Sequence, residues 1–333
     1  MGLGGHRTLM QDPAAQTNPL GALLSLHDYA AIPVLAGTAL TSEVESLAAA
    51  GQALMALDLY GLQSAGLPAD IDADIQALAW PTSAADTHRG PLHDLLPVFR
   101  HLLEVMQILV SRGETTATLS AVHLAAEYLP LLAWQQVAGH AGDPMRMTSL
   151  TRADAAWHGP ECPLDRADRR AFHAAVLAAT DHTLWDSYLR DDHSRVAGAL
   201  TVCGSVPQPM SRDSSRTVCR TPCGVVAGVE LGWPMVLVRR LRESPLLELR
   251  HDSPVGHFFA VPDLTEVEQA WDRTVEGLLA DHEEAPAVSN PLRAVEHGLP
   301  QVFAAIAGQV QPLVPGNLLA RIAARIGSRL GVA

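Results

Sequence analysis

The chain has 333 residues, 48% hydrophobic and 18% charged, with a formal charge of −13. That is enough apolar material for one large domain or two ordinary ones, and too acidic a surface for a sequence-independent grip on nucleic acid or anionic membranes. All 23 of its Lys+Arg residues are arginine, which excludes a Walker A nucleotide loop, a pyridoxal phosphate (PLP) Schiff base and a lysine nucleophile, because each needs an ε-amine.

The lysine-free composition has two readings. The Ala, Gly, Pro, Leu and Arg bias is what a GC-rich bacterial genome produces; avoidance of amine-reactive chemistry is the other. No membrane span is expected, since the most apolar windows, 121–137 and 225–238, are interrupted by Glu127 and Glu230. The stretch from Met1 to Asn18 lacks a continuous apolar h-region, and four cysteines are too few for a disulfide scaffold. Reduced thiols and a cytoplasmic location are the corresponding expectations.

In chain order, Ser42 and Glu45 have capping-box spacing ahead of Val44, Leu47, Ala48, Leu54 and Leu57, which predicts a helix over 42–60. Asp70, Asp72 and Asp74 open like a calcium loop, but Ile75 and Pro81 stand where that loop needs Gly and Glu, so they read as acids at a helix start. Helices over 94–110 and 116–137 follow, apolar around most of their circumference, with Pro97 in a first turn and Pro130 at a kink. A loop at 139–144 and a helix over 165–189 complete the first half.

After residue 195 the text changes to short apolar segments, 201–207, 225–231, 235–240, 246–250 and 257–261, bounded by Gly, Pro, Ser or Asp. They predict antiparallel strands. Helices over 265–282, 292–310 and 318–330 close the chain. The expected class is α+β: a mainly helical region over 1–192, then a smaller antiparallel β-rich region followed by helices over 193–333, the two forming separate domains or one continuous domain.

Fifteen histidines suggest a site between the central helices, built from His101, Glu104, His123 and Glu127 as catalytic residues and, on such a bundle, able to hold iron. Composition tempers this. With 36 acids in 333 residues, about six of the 15 histidines should have an acid three or four positions away by chance, and six do: His101, His123, His140, His158, His182 and His251. Position is the remaining argument, because the first two fall in the most apolar helices, where an unpaired carboxylate is costly.

The cysteines form a second constellation. Cys219 and Cys223 flank Arg-Thr-Pro in a knuckle-like run that Cys203 and Cys162 could complete as a structural zinc site. Three intervening residues instead of two weaken that match, and ordinary reduced thiols are the alternative. Residues 317–330 place Leu318, Leu319, Ile322, Ile326 and Leu330 on one side and Arg321, Arg325 and Arg329 on another. Such a helix docks on its own core, on a protein partner, in a homodimer or on a membrane surface, the last disfavoured by the acidic remainder of the chain. Two functions follow: an enzyme with a histidine/carboxylate site between the central helices, working with or without a metal, or a non-catalytic binding or assembly protein using the last helix.

Overall fold

A computed structural model describes residues 18–60, 62, 66–151, 185–189, 193–207, 216–218, 232–252, 261–279 and 298–332. In chain order the helices are α1 (Pro19–Ser25), α2 (Ile32–Ala36), α3 (Ser42–Met55), α4 (Ala69–Leu78), α5 (Leu96–Ser111), α6 (Thr115–Ala138) and α7 (Pro144–Thr151). After a single turn at Trp185–Ser187 come α8 (His193–Gly204), α9 (Gly232–Arg242), α10 (Pro245–Asp252), α11 (Leu264–Leu279), α12 (Leu299–Ile306) and α13 (Leu318–Leu330). Among these helices none is long and apolar enough to cross a membrane.

The described residues are mainly helical, which corrects the α+β expectation. The paired extended segments among them are β1 (Ser205–Pro207) and β2 (Arg216–Val218), an antiparallel ladder with Ser205 opposite Val218. No β-rich region is formed there. The segments expected as strands at 235–240 and 246–250 are α9 and α10. Met235, Leu237, Val238 and Leu241 are all buried, at spacings that one side of a helix supplies. Pro245 is the first residue of α10, where its missing N–H costs nothing. The segment at 201–207 is helical to Gly204 before β1 begins. Those at 225–231 and 257–260, and most of the helix expected over 165–189, lie outside the described residues.

The chain divides into two compact units, one from 18–76 with 317–332 and one from 77–316. In the first, α13 packs on α3 and α1. Leu319, Ile322 and Ile326 are fully buried, and Leu319 O accepts a 2.7 Å hydrogen bond from the Tyr29 hydroxyl. Gly51 lets α3 approach Tyr29, since a Cβ there would lie 2.7 Å from the ring. Thr41 caps α3 by accepting from Val44 N at 3.3 Å. The helix stops at Met55, short of the expected residue 60, because Leu57 turns to a φ of 56° that a helix cannot continue.

The apolar face of α13 is thus occupied within its own unit, and its arginines are engaged there too. Arg321 pairs with Asp70 at 3.0 Å and with Asp74, while Arg325 and Arg329 reach Glu43 at 3.2 and 2.7 Å. The acids at the start of α4 therefore serve the last helix.

The second unit is organised around α6, which packs against α5, α8, α9, α10 and α12. That is why its sequence is apolar all round: Leu119, Val122, Ala125, Leu129, Leu131, Leu132 and Trp134 are buried on different sides. The helix runs through Pro130 and ends at Gly139, whose φ of 68° permits the left-handed cap. Pro97 lies in the first turn of α5, as expected.

Candidate functional site

Of the four residues expected to form a site between the central helices, His101 and Glu104 are buried on α5, with Nδ1 and Oε2 3.9 Å apart, too far for a hydrogen bond. The chain passes them closely at Gly316, where a Cβ would lie 2.9 Å from Glu104 Oε2. On α6, His123 Nε2 and Glu127 Oε1 are 3.1 Å apart, but their side chains are 25% and 44% exposed. The structure therefore makes two pairs of different character, one buried and one at the surface.

Among the described residues no group of three or more His, Cys, Asp or Glu is arranged to hold a metal ion. This corrects the expectation of metal binding, including iron at the central helices: helical spacing pairs an acid with a histidine along one helix but does not bring a third ligand across. Cys203 is in the last turn of α8. Cys162, Cys219 and Cys223, the rest of the expected zinc site, lie outside the described residues.

Charged and polar side chains instead converge at the turn between α6 and α7. Asp143 is buried, with its side chain 1% exposed, and Arg89 grips it with two hydrogen bonds, Nε to Oδ2 at 2.8 Å and Nη2 to Oδ1 at 2.6 Å. A bidentate guanidinium is the one cation whose geometry matches both carboxylate oxygens. Asp143 also caps α7, accepting from Met145 N at 3.0 Å. Arg89 is held in turn by the carbonyls of Ala84 and Asp86, and its guanidinium lies 5.3 Å from the Trp185 ring centroid.

Two histidines close the turn. His140 Nδ1 accepts from Asp143 N at 2.9 Å, so in the neutral ring its proton is on Nε2, which is buried and finds no acceptor among the described residues. His193, the first residue of α8, is fully buried. Its Nε2 lies 3.2 Å from Ala141 O, and since a carbonyl can only accept, Nε2 carries the proton. Among the described residues Nδ1 has no donor and is left as a buried acceptor. Around this ring stand Trp80, Tyr128 and Tyr188, with centroids at 4.9, 5.3 and 5.7 Å.

Gly142 completes the turn with a φ of 73°, and a Cβ there would strike Leu131 at 2.7 Å. Its carbonyl accepts from the Tyr188 hydroxyl.

Burial is the main influence on both imidazoles. It pushes His140 from its ordinary 6.5 down to about 4; the Asp143 charge opposes this, and Arg146, His93 and Arg89 reinforce it. Burial takes His193 to about 4 as well, against the Ala141 hydrogen bond and the Asp143 charge. Both rings are neutral at pH 7. Burial also raises the Tyr128 phenol, followed by the Glu127 charge.

The sequence contained part of this cluster. His140 and Asp143 have helical spacing, and Asp143-Pro144 is a helix-start signal. Arg89 and His193 carried no signal, because the turn that uses them is assembled from distant segments. The chain matches no protein-family model, and no curated protein or solved structure is significantly similar to it.

Proposed function

We propose that the second unit binds a small uncharged molecule that both donates and accepts a hydrogen bond, with His140 and His193 as its polar contacts. One observation carries the reading: among the described residues, two buried neutral imidazoles beside the same turn have complementary open valences, a donor on His140 Nε2 and an acceptor on His193 Nδ1. Left unsatisfied, each such atom costs about 1–3 kcal/mol, and folded proteins keep few of them without a use. The three rings around His193 favour a small ligand, and the neutrality of both histidines an uncharged one.

Binding is preferred to acid–base catalysis on magnitude. A general base works best when its pKa lies near the working pH, and imidazoles held at about 4 are poor proton acceptors at pH 7. This combines the histidine/carboxylate chemistry of one expectation with the binding role of the other, on different residues from either.

Pyrazole is a suitable probe because an N–H and a lone pair sit side by side on one small ring; 1-methylpyrazole lacks the donor. Titrating each into the full chain by calorimetry should give saturable binding of pyrazole only. His193→Phe and His140→Asn should each weaken it about tenfold or more, the loss of one buried hydrogen bond. Uptake of neither compound, or of both alike, would overturn the reading.

A further inference from the structure

Of the two imidazole hydrogen bonds that close the turn between α6 and α7, the one that His140 accepts can be made only by an uncharged ring, while His193 holds Ala141 O with its ring fully buried. A second proton on His140 would have to occupy Nδ1, the atom that now accepts from Asp143 N at 2.9 Å. Two N–H groups would then face each other in place of a bond. A second proton on His193 would occupy Nδ1, which is buried with no partner among the described residues, while its ring stays enclosed by Trp80, Tyr128 and Tyr188. We propose that residues 139–143 and the start of α8 form an acid-released latch, opened when His140 and His193 take up protons. This stands on the packing of the turn and does not depend on any ligand.

The groups that face the two rings set the balance. Asp143 attracts a proton to either ring, but its two oxygens are already taken by Arg89. Against His140 stand Arg89 and His93 from the segment before α5 and Arg146 from α7. Around His193, α6 contributes the Tyr128 phenol and the 185–189 segment the Tyr188 phenol; both are uncharged in acid, and Trp80 carries no charge. Apart from Asp143, which Arg89 already holds, no described neighbour is therefore placed to offset the lost His140 bond or a buried charge on His193 with a salt bridge.

In the open state the histidines return towards their ordinary 6.5, against about 4 when closed. The sign follows from that order: closure is fully favoured above pH 6.5 and is lost as pH falls towards 4. Between pH 7 and pH 5 the ratio of open to closed should rise about 20-fold for each histidine.

Amide hydrogen exchange on the full chain, corrected for the pH dependence of intrinsic exchange, reads this directly. Peptides covering 139–147 and 193–200 should lose about 20-fold protection per histidine between pH 7 and pH 5. In the double variant His140→Asn with His193→Gln, the amide groups can keep the bonds to Asp143 N and Ala141 O but cannot titrate, so protection should persist. A wild type equally protected at both pH values, or a variant that opens as the wild type does, would overturn the latch. Ring-proton NMR of the wild type tests it without any variant: a titration midpoint near 6.5 for either histidine in the closed protein would equally overturn it.

Discussion

Both units use arginine against carboxylate, on opposite sides of the water boundary. In the first, Arg321, Arg325 and Arg329 fasten α13 with side chains 34–49% exposed. In the second, Arg89 and Asp143 are 10% and 1% exposed. The same ion pair is a different object in each place. Exposed pairs gain little over their hydrated partners, typically 0–1 kcal/mol. A buried pair contributes little net stability when compared with a hydrophobic replacement, yet losing one partner strands a charge in low dielectric. The first unit is held by its apolar seam, with the charges as trim. In the second, the polar turn itself is a point of failure.

The sharpest test is Arg89→Met, which leaves the Asp143 carboxylate buried without its partner. A loss of about 3–5 kcal/mol is expected. All six tryptophans lie between residues 80 and 271, within the second unit, so tryptophan fluorescence during denaturant unfolding reports that unit alone.

Acid should separate the units next. At pH 5 the two histidines each withdraw about 2 kcal/mol from the second unit, since their protons bind more tightly once it unfolds. Glu43 behaves oppositely: hydrogen bonding from Arg329, with Arg325, holds its carboxyl below the ordinary 4.5. Arg321 likewise lowers Asp70 from 3.8. Their contribution is complete above those ordinary values and is lost only as pH falls through the lowered ones. Fluorescence-detected unfolding of the second unit should therefore weaken between pH 6.5 and 4, while exchange protection in α3 and α13 holds. Simultaneous loss in both would erase the contrast.

Gly51→Ala forces a methyl group against the Tyr29 ring and should cost about 1–3 kcal/mol, read as lost exchange protection in α3 and α13. Arg325→Ala should cost less than about 1 kcal/mol, and the difference from wild type should vanish in 1 M salt, where exposed charges are screened over about 3 Å. A larger effect than that of Arg89→Met would invert the comparison.

Helices with a long, unambiguous apolar period were legible: α3, α5, α6, α11 and α13 fall close to their expected places. Failure came where the apolar run was short. In α9, Val236 and Val238 are β-branched and the run is bounded by Pro234, so strand and helix were equally compatible with the text, and only burial against α6 decides. Pro245 read as a boundary, and it is one, but of a helix beginning.

The site was harder to read for a physical reason. Pairing at three or four residues is visible in sequence, so His101, Glu104, His123 and Glu127 drew notice. What distinguishes His193 and Arg89 is their company from Trp80, Ala141 and Asp143, which no local spacing encodes.

The first unit is also a constraint on time. Tyr29 and the carbonyl it bonds on Leu319 are 290 residues apart. At synthesis rates of about 5–20 residues per second, α3 emerges on the order of 15–60 s before the helix that covers it. Through that interval Leu47 and Leu54, fully buried in the finished molecule, have no α13 to pack against. The unit whose charges count for least at equilibrium is the one most exposed to misassociation while the chain is being made.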